Sequence, residues 1–146
     1  MHIYVDADAC PVKQIIERVA KENKIAVTMV IDVNHILHSD YSEVVTVSQG
    51  ADSVDLYLIN RVQKGDIVVS QDYGVAALAL GKGARAVSNS GLEYTDANID
   101  KLLFERYLGK KQRNAKKGKR RMPHIAPRTS EDDQAFEAAL RKMIAL

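Results

Sequence analysis

The stretch V-D-A-D-A-C-P-V at 5–12 places two carboxylates, Asp6 and Asp8, one residue apart directly behind the apolar run Ile3-Tyr4-Val5. Two further acids, Asp52 and Asp55, stand three apart in S-Q-G-A-D-S-V-D at 48–55, and Asp72 follows a second apolar run in I-V-V-S-Q-D at 67–72. Clustered carboxylates repel and raise one another's pKa values. A hard divalent cation removes that conflict, and Mg²⁺ or Mn²⁺ takes a few carboxylates while keeping several waters. Such a centre suits phosphoryl or phosphodiester chemistry, where the ion orients water and stabilises in-line displacement. The expected metal ligands are therefore Asp6 and Asp72 first, then Asp8, Asp52 and Asp55. Asp6, Asp72, Asp52 and Asp55 are the expected catalytic residues.

These acids can meet only if the fold brings three separate segments to one edge. Apolar runs at 2–5, 25–31, 43–48, 66–70 and 84–88 have strand length, and helical spacing fills the intervals. Val12, Ile15, Ile16 and Val19 recur on one helical face behind Pro11, Val54, Leu58, Ile59 and Val62 on another, and 73–81 is a short Ala/Leu-rich helix. Strands that read as near-continuous apolar runs between helices predict a mainly parallel sheet of about five strands in a three-layer α/β/α domain. Open parallel sheets bind ligands beyond the carboxyl ends of their strands. Asp6, Asp8, Asp72 and the 52/55 pair all fall at that edge, whereas Asp66 precedes its strand and reads as turn chemistry.

The net charge of +2 conceals an uneven distribution. Residues 1–100 have 8 Lys/Arg against 14 Asp/Glu, whereas residues 101–128 have 11 against Glu105 alone. An acidic body thus carries a concentrated basic segment, which points to a polyanionic partner. Lys110, Lys111, Arg113, Lys116, Lys117, Lys119, Arg120 and Arg121 are the expected nucleic-acid contacts, to phosphate rather than to bases. The expected organisation is an α/β domain over 1–108 ending in a helix at 96–108, a flexible basic arm over 109–128, and a C-terminal helix over 129–146. Ser130 is its expected cap, and Phe136, Leu140 and Ile144 share its apolar face. No apolar stretch has the ~20 residues of a membrane span, no signal-peptide pattern opens the chain, and the single Cys suits a reducing compartment. The expected location is the cytoplasm, with no membrane partner.

Other motifs have plainer readings. Cys10 lies near a helix start that could activate a thiol, but has no His at a telling spacing, so packing is favoured. His35 and His38 read as solvated loop histidines rather than a metal pair. Ser88, Asn89 and Ser90 follow the fifth strand and could hold a phosphate through backbone N–H groups, with an ordinary turn equally acceptable. D-x-D behind a strand also opens haloacid-dehalogenase-type phosphatases, but the later acidic pair those enzymes need after a strand is lacking.

Taken together, V-D-A-D-A-C-P-V, S-Q-G-A-D-S-V-D, G-D-I-V-V-S-Q-D-Y-G-V-A-A-L-A-L and the basic stretch from R-Y-L to G-K-R-R resemble the YaiI/YqxD family over nearly the whole chain. That family is grouped with PIN-like nuclease folds. The resemblance implies a PIN-type parallel sheet and an acidic, Mg²⁺- or Mn²⁺-dependent site. In that pattern one Asp ends the first strand, matching Asp6. A middle helix supplies an acid, matching Asp52 or Asp55, and an Asp follows the fourth strand, matching Asp72. A further acid often comes soon after the last; here Tyr73 and Gly74 stand instead. The expected function is a metal-dependent nuclease, with RNA favoured slightly over DNA. The rival readings are a non-catalytic nucleic-acid-binding protein and a small-molecule phosphatase.

Overall fold

The structure, a computed structural model, describes residues 1–49, 53–115 and 127–145, with backbone alone for 112–115. Six strands form one sheet in the order β3-β2-β1-β4-β5-β6. They are β1 (His2–Asp6), β2 (Ala26–Asp32), β3 (Glu43–Val47), β4 (Ile67–Val69), β5 (Arg85–Val87) and β6 (Glu93–Tyr94). The first five pair in parallel, and β6 adds antiparallel to β5. The helices are α1 (Lys13–Glu22), α2 (Ser53–Arg61), α3 (Tyr73–Gly81), α4 (Asp96–Ala115) and α5 (Ser130–Ala145).

Side-chain alternation divides the core into two layers. Ile3, Val5, Val27, Met29, Ile31, Ile67, Val69 and Val87 point to the face covered by α1 and α5. Tyr4, Val30, Val68 and Ala86 point to the opposite face, with Val54 and Leu58 of α2, Val75, Ala76 and Ala79 of α3, and Ile99 of α4. This is the three-layer α/β/α arrangement. It has six strands rather than about five, because Glu93–Tyr94 is too short to show a period.

α1 forms because Val12, Ile16, Val19 and Ala20 fall on one buried stripe. The C-terminal helix completes that layer: Phe136, Leu140 and Met143 are fully buried, while Ile144 is only partly so. Arg18–Glu137 and Arg141–Glu22 ion pairs flank the α1–α5 seam. The cap of α5 is Thr129, one residue before the expected Ser130. The Thr129 backbone N–H donates to Asp132 Oδ2 at 2.9 Å, and the Asp132 N–H donates back to Thr129 Oγ1 at 3.4 Å.

α4 also departs from expectation. It continues through Gly109 to Ala115, so the first part of the expected arm is helical. That part has no apolar stripe, but Lys, Gln, Arg and Ala are good helix formers, and the preceding turns supply the nucleus.

Candidate active site at the strand ends

The strand order reverses direction between β1 and β4, leaving a crevice at their carboxyl ends. Asp6 is the last residue of β1 and projects to the same face as Tyr4. β4 ends at Val69, and Ser70 continues the ladder through its N–H to Val87 O at 3.1 Å. Its hydroxyl donates to Asp6 Oδ2 at 3.2 Å and accepts the Asp72 N–H at 3.0 Å. Ser70 therefore couples the two strand ends through one oxygen.

Asp72 is the N-cap of α3. Its Oδ1 accepts the N–H of Gly74 at 2.8 Å and of Val75 at 3.3 Å. A Cβ on Gly74 would stand 3.1 Å from that oxygen, so glycine lets the amide approach the carboxylate. This capping role is structural and engages Oδ1 rather than Oδ2. Arg106, from α4, brings Nη1 to 3.6 Å from the same Oδ1.

Asp6, Gln71, Asp72 and Tyr73 line an open cleft of about 650 Å³ with Leu102, Glu105 and Arg106 of α4. Burial is the main cause that raises the Asp6 pKa to about 6. The Ser70 hydrogen bond opposes the shift, and the charges of Asp55, Asp8 and Asp72 add to it. The four described acids thus share one electrostatic neighbourhood around Asp6, although Asp55 reaches it from the first turn of α2. Asp52 lies outside the described residues.

Asp8 is directed elsewhere. Ala9 takes the left-handed φ of 57°, turning the chain after β1. The Asp8 carboxylate then meets the end of β2, with Oδ2 accepting the Asp32 N–H at 3.3 Å and Oδ1 lying 3.0 Å from His35 Nδ1. That nitrogen is also 2.8 Å from Asp32 Oδ1, and it is Asp32 that takes the hydrogen bond; Asp8 Oδ1 has none. The Asp32 bond raises the pKa of His35 and lowers that of Asp32. Asp8, Asp32 and His35 form the one described trio of His, Cys, Asp or Glu whose ligand atoms lie within 4.8 Å of one another. Asp6, Asp55 and Asp72 are not so close; an ion there would use Asp6 and Asp72, with water completing its shell. Their oxygen donors and the raised Asp6 pKa fit a hard divalent ion.

Several residues escaped the sequence reading. Glu105 and Arg106 enter the cleft from α4, whose cleft-facing spacing Leu102, Glu105 and Arg106 (i, i+3, i+4) was legible once α4 was known to cross the strand ends. Asp32 directly follows the 25–31 strand and could have been found by the same edge rule that found Asp6.

The remaining expected residues are placed as follows. The Ser88 N–H donates to Leu92 O at 2.9 Å, Asn89 N–H to Gln71 Oε1 at 2.7 Å and Ser90 N–H to Ser88 Oγ at 3.3 Å. These backbone donors are already engaged, two within the turn and one by the Gln71 side chain, as the ordinary-turn reading of Ser88, Asn89 and Ser90 expects. The Cys10 thiol is buried beside Asn89 Oδ1, and burial pushes its pKa up, the reverse of an activated nucleophile. His38 lines a separate groove with Glu17 and Tyr41. Lys110 and Lys111 are exposed on α4, and Arg113 lies on the same helix. Lys116, Lys117, Lys119, Arg120 and Arg121 lie outside the described residues. Among the described residues no helix is long and apolar enough to cross a membrane.

Comparison with known families decides the chain's relationship. The model of the family described as Uncharacterized BCR, YaiI/YqxD family, matches residues 4–146. The chain belongs to the YaiI/YqxD family. A UPF0178 protein of Clostridium acetobutylicum is 57% identical over 144 residues, covering 99% of this chain and 97% of the relative. One of Ruminiclostridium cellulolyticum is 58% identical over 140 residues, covering 96% and 90%. One of Lachnoclostridium phytofermentans is 51% identical over 144 residues, covering 99% and 97%. No solved structure matches the chain. The chemistry open to this YaiI/YqxD member lies in the cleft lined by Asp6, Asp72 and Arg106.

Proposed function

We propose that this YaiI/YqxD protein is a cytoplasmic, Mg²⁺- or Mn²⁺-dependent nuclease that hydrolyses phosphodiesters of RNA, or secondarily DNA. The carrying observation is Asp6. It ends a central strand at the switch point, is partly buried, and has its pKa pushed up to about 6 by that burial and by surrounding carboxylates. A fold that gathers negative charge there without a neutralising cation bears a cost, and a divalent ion relieves it. Asp6 and Asp72 would hold the ion with water completing its shell, and Asp55, whose charge reaches Asp6, would help to orient that water. When bound, the ion offsets charge at the phosphoryl group and makes a water a better nucleophile.

This chain's own residues supply the rest. The Ser70 hydroxyl donates to the Asp6 carboxylate and accepts the Asp72 backbone N–H, which ties the two ligand-bearing strand ends together. Lys110 and Lys111, exposed on α4 about one turn beyond Arg106, offer positive charge to a polyanion. The PIN-type likeness of the motifs supports the same chemistry. The test is thermal unfolding with and without millimolar Mn²⁺ for the wild type and Asp72→Asn, followed by cleavage of labelled RNA and DNA. A ligand at 100 times its Kd adds about 2.7 kcal/mol. A midpoint rise lost in Asp72→Asn, with cleavage lost in parallel, is expected. No rise in the wild type would leave the non-catalytic nucleic-acid-binding reading, which is favoured by the fact that Asp6, Asp55 and Asp72 do not all come within 4.8 Å of one another.

A further inference from the structure

One cation stands inside the acidic cleft, and the two-carboxylate reading leaves it without a task. Arg106 projects from α4 into the space lined by Asp6 and Asp72. Its partner oxygen, Asp72 Oδ1, already accepts two backbone N–H groups of α3. The guanidinium sits at 3.6 Å, beyond a good hydrogen bond, and its side chain is 58% exposed. An exposed pair of this kind contributes about 0–1 kcal/mol, so it exchanges readily for a stronger partner. A guanidinium is a planar fork of donors that matches two oxygens of a phosphate, and it remains charged at every working pH.

The position matters as much as the chemistry. Arg106 is one turn from Leu102 and four residues before Lys110, so α4 leads from the carboxylates to the exposed Lys110 and Lys111. A phosphate near Asp6 and Asp72 would meet two negative side chains and Glu105, and Arg106 is the one described cation lining the cleft with them. A divalent ion on Asp72 would also repel the guanidinium from its resting place.

We infer that Arg106 is the phosphate clamp of the cleft: it pairs with Asp72 until a divalent ion takes the carboxylates, and then grips a backbone phosphate of the bound nucleic acid. This inference rests on the metal-dependent reading above. It makes metal and nucleic-acid binding mutually supportive, because each frees what the other needs.

The test compares wild type, Arg106→Gln and Arg106→Lys. Mn²⁺ affinity is measured by titration calorimetry, and affinity for a fluorescein-labelled, cleavage-resistant phosphorothioate RNA by anisotropy, with and without Mn²⁺. Arg106→Gln should bind Mn²⁺ more tightly than wild type, by about two- to fivefold, since the competing cation is gone. With Mn²⁺ present its RNA affinity should fall about tenfold, as for loss of a charged phosphate contact. Without Mn²⁺ its RNA affinity should match the wild type. Arg106→Lys should fall between the two, keeping charge and losing the fork. An equal RNA loss with and without Mn²⁺, or no loss in either, overturns the clamp while Mn²⁺ binding by the wild type preserves the metal reading. Absence of Mn²⁺ binding by the wild type overturns both.

Discussion

Replacing Asp6 by Asn should stabilise the protein at neutral pH in the absence of metal, an unusual outcome for a partly buried polar position at a strand end. The Asp6 carboxyl titrates at an ordinary 3.8 when unfolded and at about 6 when folded. The folded state therefore prefers the protonated form. Below about pH 3 both states are protonated and the group has no effect on stability. As pH rises from about 4 to 6 the unfolded chain ionises first and gains, so a penalty develops, and above about 6 it is complete. At about 1.4 kcal/mol per pH unit, the ceiling is about 3 kcal/mol. Because the carboxyl opens onto the cleft, solvent screening brings the expected figure to about 1–2 kcal/mol.

An Asn at this position keeps an oxygen for the Ser70 hydroxyl and removes the charge. Urea unfolding of wild type and Asp6→Asn at pH 4.0 and 7.5 isolates the effect. The variant should gain about 1–2 kcal/mol at pH 7.5, roughly 3–6 °C in midpoint, and only a few tenths of that gain at pH 4. Equal stabilisation at both pH values, or destabilisation at pH 7.5, would refute the argument that burial and neighbouring carboxylates strain this residue. The same variant should lose the Mn²⁺-dependent midpoint rise, and in the wild type that rise should fade as pH drops below about 6, where protons compete for the ligand.

Other positions give independent checks. Asp72→Asn should keep the α3 cap and metal-free stability while losing the Mn²⁺ response; Asp72→Ala should lose both, with a cap cost of about 1 kcal/mol in denaturant unfolding. Gly91→Ala should destabilise by about 2 kcal/mol or more in the same measurement, because φ there is +90° and a Cβ would lie 2.7 Å from Ala135 O on α5. Asp32→Asn should lower the His35 pKa seen by NMR titration of its ring, since the Asp32 hydrogen bond is the main cause of its elevation; an unchanged value would show that the Asp8 charge suffices.

The sequence made the architecture legible where periodicity was strong. The apolar runs at 25–31 and 66–70 show no alternation because β2 and β4 are covered on both faces, which is itself the signature of a parallel sheet. Helix α3 was readable to the residue, since Asp72 caps it and its apolar run stops at Gly81. β6 was not, because its two residues hold their place through the register Ala86↔Tyr94 and Val87↔Glu93 and through Arg85 bonded to Glu93. Those are tertiary interactions with no local pattern.

The candidate site was legible at the strand ends and obscure away from them. Asp6 and Asp72 follow from counting residues beyond an apolar run. Asp8 shares the strand-end stretch with Asp6 and reads as a further ligand of the same ion, but alternation holds only while the strand lasts, and the turn at Ala9 sends its carboxylate to Asp32 and His35. Arg106 and Glu105 were hidden because a helix crossing a sheet edge is decided by packing of Ile99 and Leu102 and not by anything in the acidic motifs.

The closure of one core layer by α5 bears on how the chain is made. Ile3 and Val5 of β1 are synthesised well before Phe136, Leu140 and Met143, which share their cluster. While the ribosome is still extending the chain, the sheet face under α5 has no cover and Phe136 has no pocket. Completion of this layer therefore waits until α5 has left the exit tunnel, and until then the nascent domain presents an apolar surface of the kind that chaperones hold and that aggregates when they do not.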